Sequence, residues 1–158
     1  MKFVKIVFMA FAAVFSLVAT ILVFVTDFGG WWEGGGSNYY FWVGAPYAPA
    51  WAQLFLVLLG LLFLALLGIS VFLGILTLLD KQTVIVKILS FIGVGGAIVG
   101  FVLTGITVGA LAVFASGYEW WLDTSFYSSL VGSIIVGIFY ILYAVMGMVM
   151  KPSETPAK

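Results

Sequence analysis

The side chains best placed to do chemistry are four carboxylates, Asp27 and Glu33 in one stretch and Glu119 and Asp123 in another, each pair set among tryptophans. Paired carboxylates can protonate and attack a glycosidic bond. Carboxylates can also hold a hard cation, and beside Trp rings they can build a sugar platform. The spacing supports none of these, because a calcium site needs roughly 6–8 oxygen ligands in a defined arrangement. The four acids are therefore read as solvated groups. The chain contains no His, Cys or Arg, which removes the familiar nucleophile–base pairs, most transition-metal sites and the usual grip on phosphate. The expectation is a protein that is not an enzyme, with no catalytic, cofactor-binding or metal residues and no nucleic-acid partner.

What must position these acids is set by composition. Of 158 residues 65% are apolar and only 8% charged, and the mean hydropathy is +1.29. Soluble domains are roughly 45–50% apolar and about 25% charged, so this chain belongs in lipid. Four charge-poor runs, at about 3–26, 51–79, 83–115 and 126–150, each exceed the roughly 20 residues that cross a bilayer core. The second and third are longer than that core requires and should tilt or project past it, on the side of Asp80, Lys81 and Lys87. The first run follows Lys2 and Lys5 but is longer than the roughly 7–15 apolar residues of a signal core, so a retained helix is expected.

Charge gives the orientation. All six basic residues are lysines, Lys2, Lys5, Lys81, Lys87, Lys151 and Lys158, and with four spans they share one side. The positive-inside rule makes that side cytoplasmic, so both termini are expected there, in a multi-pass protein of the cell membrane. Six lysines less Asp80 and Glu154 leave +4 inside, against −4 outside from Asp27, Glu33, Glu119 and Asp123. The outer loops are then 27–50 and 116–125, and 151–158 is a polar cytoplasmic tail behind the helix-ending Pro152. Short connections predict an all-α, up-down-up-down bundle in a single domain, residues 1–150.

Every one of the six Trp lies in or beside an outer loop. A plain interfacial belt would occupy both faces of the membrane. Rings at the helix ends, Phe28, Trp51, Phe126 and Tyr127, fit a belt. Those inside the loops fit an outer aromatic contact surface: Trp31, Trp32, Tyr40, Trp42, Trp120 and Trp121. Trp31 to Glu33 and Tyr39 to Val43 are rich in strand formers, and Gly34 to Asn38 between them is turn chemistry, so a short β-hairpin cap is expected. Alternation puts Tyr39, Phe41 and Val43 on one face, Tyr40 and Trp42 on the other. Such a hairpin is marginal alone and needs the second outer loop or the bilayer to pack on. Residues 45–50, with Pro46 and Pro49, should return as an extended segment.

Small residues mark where helices touch. The third span carries Gly93, Gly96, Gly100 and Thr104 at three-to-four spacing, then Gly105, Gly109, Ala112 and Ser116 on an adjacent stripe; the fourth carries Ser133 and Gly137. In lipid such stripes let backbones approach closely. Two stripes exceed what one neighbour requires, which points to membrane partners, either other subunits or a homo-oligomer. Away from the span ends no ionisable group lies at depth, which argues against ion-coupled transport. Thr104, Thr107, Ser129, Ser133, Tyr140 and Tyr143 could line a path for a neutral solute, or bond to backbone and between helices.

The topology of four helices, inner termini, a larger aromatic first outer loop and a smaller second one resembles the claudin-type tetraspans, which are adhesion and barrier proteins. The family's first-loop signature, a Trp followed by Gly-Leu-Trp and two Cys, is missing here, so no residue roles are carried over. The functional expectation is an accessory or scaffold protein acting through protein–protein contact. Its alternatives are adhesion through a claudin-like outer cap, or a small channel or carrier for a neutral solute.

Overall fold

The structure, a computed structural model, describes residues 1–149 apart from Gln82. The tail expected at 151–158 lies outside the described residues, as does the last residue of the fourth expected span. Among the described residues there are four helices: α1 (Lys2–Val25), α2 (Ala50–Leu78), α3 (Val84–Phe114) and α4 (Thr124–Val149). Each is long and apolar enough to cross a membrane, and their ends fall within one or two residues of the hydropathy-based limits. At about 1.5 Å per residue the 29 residues of α2 and the 31 of α3 outrun a core of roughly 30 Å.

Helix α1 packs on α2 and α4, and α3 packs on the same two, so α1 and α3 sit on one diagonal and α2 and α4 on the other. With short connections every touching pair is antiparallel. The α2–α3 turn is closed by Lys81 N–H donating to Leu76 O at 2.9 Å, with Asp80 in the left-handed region at φ 57. That is the six-to-one closure in which glycine normally occupies the Asp80 position. Lys2 Nζ reaches Asp80 Oδ2 at 2.6 Å, an exposed pair joining the start of α1 to this turn.

The bundle interior at the turn end is polar and tied across the α2–α4 diagonal. Tyr140 Oη donates to Leu66 O at 2.8 Å and lies 2.8 Å from Ser70 Oγ, which itself reaches the same carbonyl. Thr77 Oγ1 donates to Leu73 O, leaving it to accept from Tyr143 Oη at 2.7 Å. Both Tyr rings are fully buried. In lipid an unpaired phenol is costly, so these hydroxyls fix the depth at which α4 crosses α2. Lys5 is buried in the same layer, its Nζ 4.9 Å from the centre of the Tyr143 ring.

At the other end three strands form a cap: β1 (Gly29–Trp32), β2 (Asn38–Phe41) and β3 (Glu119–Leu122), in the order β2-β1-β3. Both pairings are antiparallel, with Trp31 opposite Tyr39 on one side and Trp120 on the other. The expected hairpin is present, its turn built on Gly34, Gly35 and Gly36 at positive φ. Sequence reading offered the second outer loop only as something to pack on. It instead supplies a strand, which answers the weakness of a lone hairpin.

Two local expectations are corrected. The return at 45–50 is not extended: Ala45 N–H bonds Trp42 O and Ala48 N–H bonds Ala45 O, making consecutive turns. Gln53 in the first turn of α2 holds them, donating through Nε2 to Ala45 O at 2.6 Å and Ala48 O at 2.9 Å and accepting from Gly44 N–H. Phe28, read as a belt ring, is wholly buried at the seam between cap and bundle, edge-on to Phe41 and Phe126.

Candidate contact surfaces

The glycines of α3 divide by face. A Cβ on Gly93 would enter the Tyr140 ring. One on Gly96 would stand 2.8 Å from Leu66, and one on Gly100 2.9 Å from Ser133 Oγ. Gly137 faces Ala97 at 3.3 Å in the same sense. These four, with Ser133, are therefore spent on the chain's own bundle, where close approach replaces the hydrophobic drive that lipid does not supply. Gly105 and Gly109 are different: both are exposed and meet nothing within 4 Å. Gly95, nearly three turns earlier, is equally open. The stripe Gly105-Ile-Thr-Val-Gly109 thus presents bare backbone to the bilayer side of α3.

The hydroxyls that could have lined a path mostly turn to their own helices. Thr104 bonds Gly100 O, Thr107 bonds Leu103 O and Ser129 bonds Phe126 O. Ser133 Oγ is buried without a partner, against Gly100. Beside it a lipid-facing groove of about 210 Å³ runs between α3 and α4, lined by Ile98, Phe101, Ile134 and Ile138. A second, of about 220 Å³, lies between α1 and α2. Both are shallow and almost wholly apolar.

The cap's aromatic residues also divide by face. Trp31, expected on the contact surface, is corrected to the interior: it is only 3% exposed. Its ring stacks on Tyr39 at 5.4 Å and meets Phe114 edge-on at 5.3 Å, and its Nε1–H donates to Glu33 Oε1 at 2.9 Å. Phe114, the last residue of α3, also touches Phe41 and Trp51, so it is the post on which the cap rests. Trp120 shares the Trp31 side of the sheet by register but remains exposed at the edge strand.

The opposite side of the sheet faces away from the bundle. Strand register puts Gly30 between Tyr40 and Trp121, and Trp32 between Asn38 and Glu119. Trp32 is 43% exposed, and Tyr40 and Trp42 are comparably open. The Trp121 ring lies across Gly30, where any Cβ would strike it, and meets Tyr40 edge-on at 6.0 Å. Glycine is required there by that approach, which is why a residue poor in strand propensity occupies the central strand.

The acids separate as well. Glu33 and Glu119 are exposed, whereas Asp27 and Asp123 sit at the seam. Asp123 Oδ1 accepts from Thr124 N–H at 2.6 Å at the start of α4, and its own N–H bonds Phe28 O. Burial, and then the charge of Asp123, push the Asp27 carboxyl above its ordinary value. Sequence reasoning missed Gln53 and Phe114 as organising residues, and it named Tyr140 as a hydroxyl that could bond between helices without its partner Ser70. A lone Gln in an apolar run was the signal available for Gln53.

These features define a multi-pass, four-helix membrane protein with a three-stranded aromatic cap on one end. No family model, curated protein or solved structure matches the chain.

Proposed function

We propose that this protein is not an enzyme and acts by contact, as an accessory or scaffold subunit of a membrane complex or as a homo-oligomer, with membrane lipid around the rest of its surface. The observation that carries this reading is the open Gly105–Gly109 stripe on a helix whose other stripe already closes the bundle. Bare backbone facing lipid gains nothing there, since lipid tails contact Leu as well as they contact Gly, but it lets another helix approach closely. In this reading both termini are cytoplasmic and the cap is outside, which is supported by Lys2, Lys5, Lys81 and Lys87 lying at the end opposite the cap. The test is native mass measurement in mild detergent. Gly105→Leu with Gly109→Leu should reduce the assembly to a folded monomer, and unchanged assembly would refute the stripe.

A second reading assigns contact to the cap, in the manner of an adhesion tetraspan. It is supported by the exposure of Trp32 and Tyr40 on the side facing away from the bundle, with Trp42 exposed just beyond β2, since exposed apolar patches of this kind usually mark contact. Trp32→Ala with Trp42→Ala should abolish that contact while membrane insertion is retained, and intact assembly in that variant would discard it.

A further inference from the structure

Resting on the cap reading, we infer the chemistry of the partner: the outward side of the sheet takes arginine or lysine side chains of a different protein. The register places Glu119 directly across from Trp32, with Asn38 on the other flank. Directly opposed residues on one face have Cβ atoms about 4.5–5.5 Å apart. A guanidinium lying on the Trp32 ring is thereby in reach of a carboxylate at the ring's edge, so stacking and ion pairing act on one group. Tyr40, edge-on to Trp121 beside this pair, extends the platform by one more ring.

Charge selects the occupant. Residues 27–50 and 116–125 hold Asp27, Glu33, Glu119 and Asp123 and not one lysine. A second copy's cap, carrying the same four acids, cannot supply the cation and would meet like charge. Lys2, Lys5, Lys81 and Lys87 belong to the other end of the helices, a membrane thickness away, and Lys151 and Lys158 follow in sequence after Val149, which ends α4 at that same end. The cation must therefore come from another chain, and potentials of opposite sign are what guide and orient such an encounter.

The test uses the full chain, labelled with 5-fluorotryptophan, in a nonionic detergent, with the peptide acetyl-(Arg-Ser)3-amide as probe. Its control is the same peptide with citrulline, which keeps the shape and loses the charge. The fluorine resonance of Trp32 should shift saturably with the arginine peptide and at least about tenfold more weakly with citrulline. Glu119→Gln, an exposed change, should weaken arginine binding about threefold, and Trp32→Leu, followed through the Trp121 resonance on the same side of the sheet, should weaken it similarly. An unmoved Trp31 resonance shows that each variant keeps its cap. Equal binding of the two peptides, or arginine affinity unaffected by either substitution, overturns the inference. A dimer whose mass depends on Trp32 would assign the face to a second copy and overturn it too. If Trp32→Ala with Trp42→Ala changes the native assembly while the arginine probe fails to bind, the cap reading stands and the cation chemistry falls.

Discussion

The two faces of α3 are built from the same residue type and do different things. Gly93, Gly96 and Gly100 are small because Tyr140, Leu66 and Ser133 occupy the space where a side chain would be. Gly105 and Gly109 are small with nothing there to accommodate. Strand β1 repeats the contrast one residue apart: Trp31 is buried under the sheet and Trp32 lies open above it. In each element residue type is shared across the two faces, and only the neighbour decides whether it serves the fold or remains free for contact.

The tryptophan pair offers the largest way to break that contrast. Trp31→Ala should destabilise the cap by about 3–5 kcal/mol, the usual cost of emptying a large aromatic site. Trp32→Ala should stay within about 0.5 kcal/mol of wild type, as exposed substitutions do. Thermal unfolding in detergent, followed by tryptophan fluorescence, separates them, and similar losses would erase the distinction between the faces. Among the glycines, Gly93→Ala should cost about 1–3 kcal/mol, because the Tyr140 ring is held by hydrogen bonds and cannot retreat freely. Gly109→Ala should leave folding unchanged or slightly improve it, since Ala favours helix by up to about 1 kcal/mol over Gly.

A finer test sharpens the reason Gly93 is constrained. Tyr140→Phe keeps the ring and removes the bond to Leu66 O, so a loss of about 0.6–1.7 kcal/mol is expected, within the range for hydrogen bonds between membrane helices. Gly93→Ala should be better tolerated in that background, and unfolding free energies of the four variants form the cycle that measures it. The smallest effect belongs to the seam. The raised Asp27 carboxyl binds its proton more tightly in the folded cap than in the unfolded chain. Its contribution is therefore complete below the ordinary carboxylate value near 4, and is lost as pH rises through the raised value. Asp27→Asn should flatten the pH dependence of cap melting above the ordinary carboxylate value near 4, and an unaltered slope would place that dependence elsewhere.

The number of spans, their ends, the antiparallel order and the aromatic bias of one side could all be read from the chain, because hydrocarbon imposes a length and a composition on anything that crosses it. The hairpin could be read as well, since Gly34 to Ser37 supply a turn that few other residues could adopt. What only the tertiary structure decided was partnership. That Glu119–Leu122 joins the sheet depends on where two loops distant in sequence arrive over one bundle end. That Trp31 is buried beneath this sheet depends on Phe114 ending α3 under it. Local patterns report the conformations a segment can take and the medium it can enter. Which face of α3 is already occupied was settled by Tyr140 and Ser133 crossing from another helix, and a one-dimensional pattern does not contain that contact.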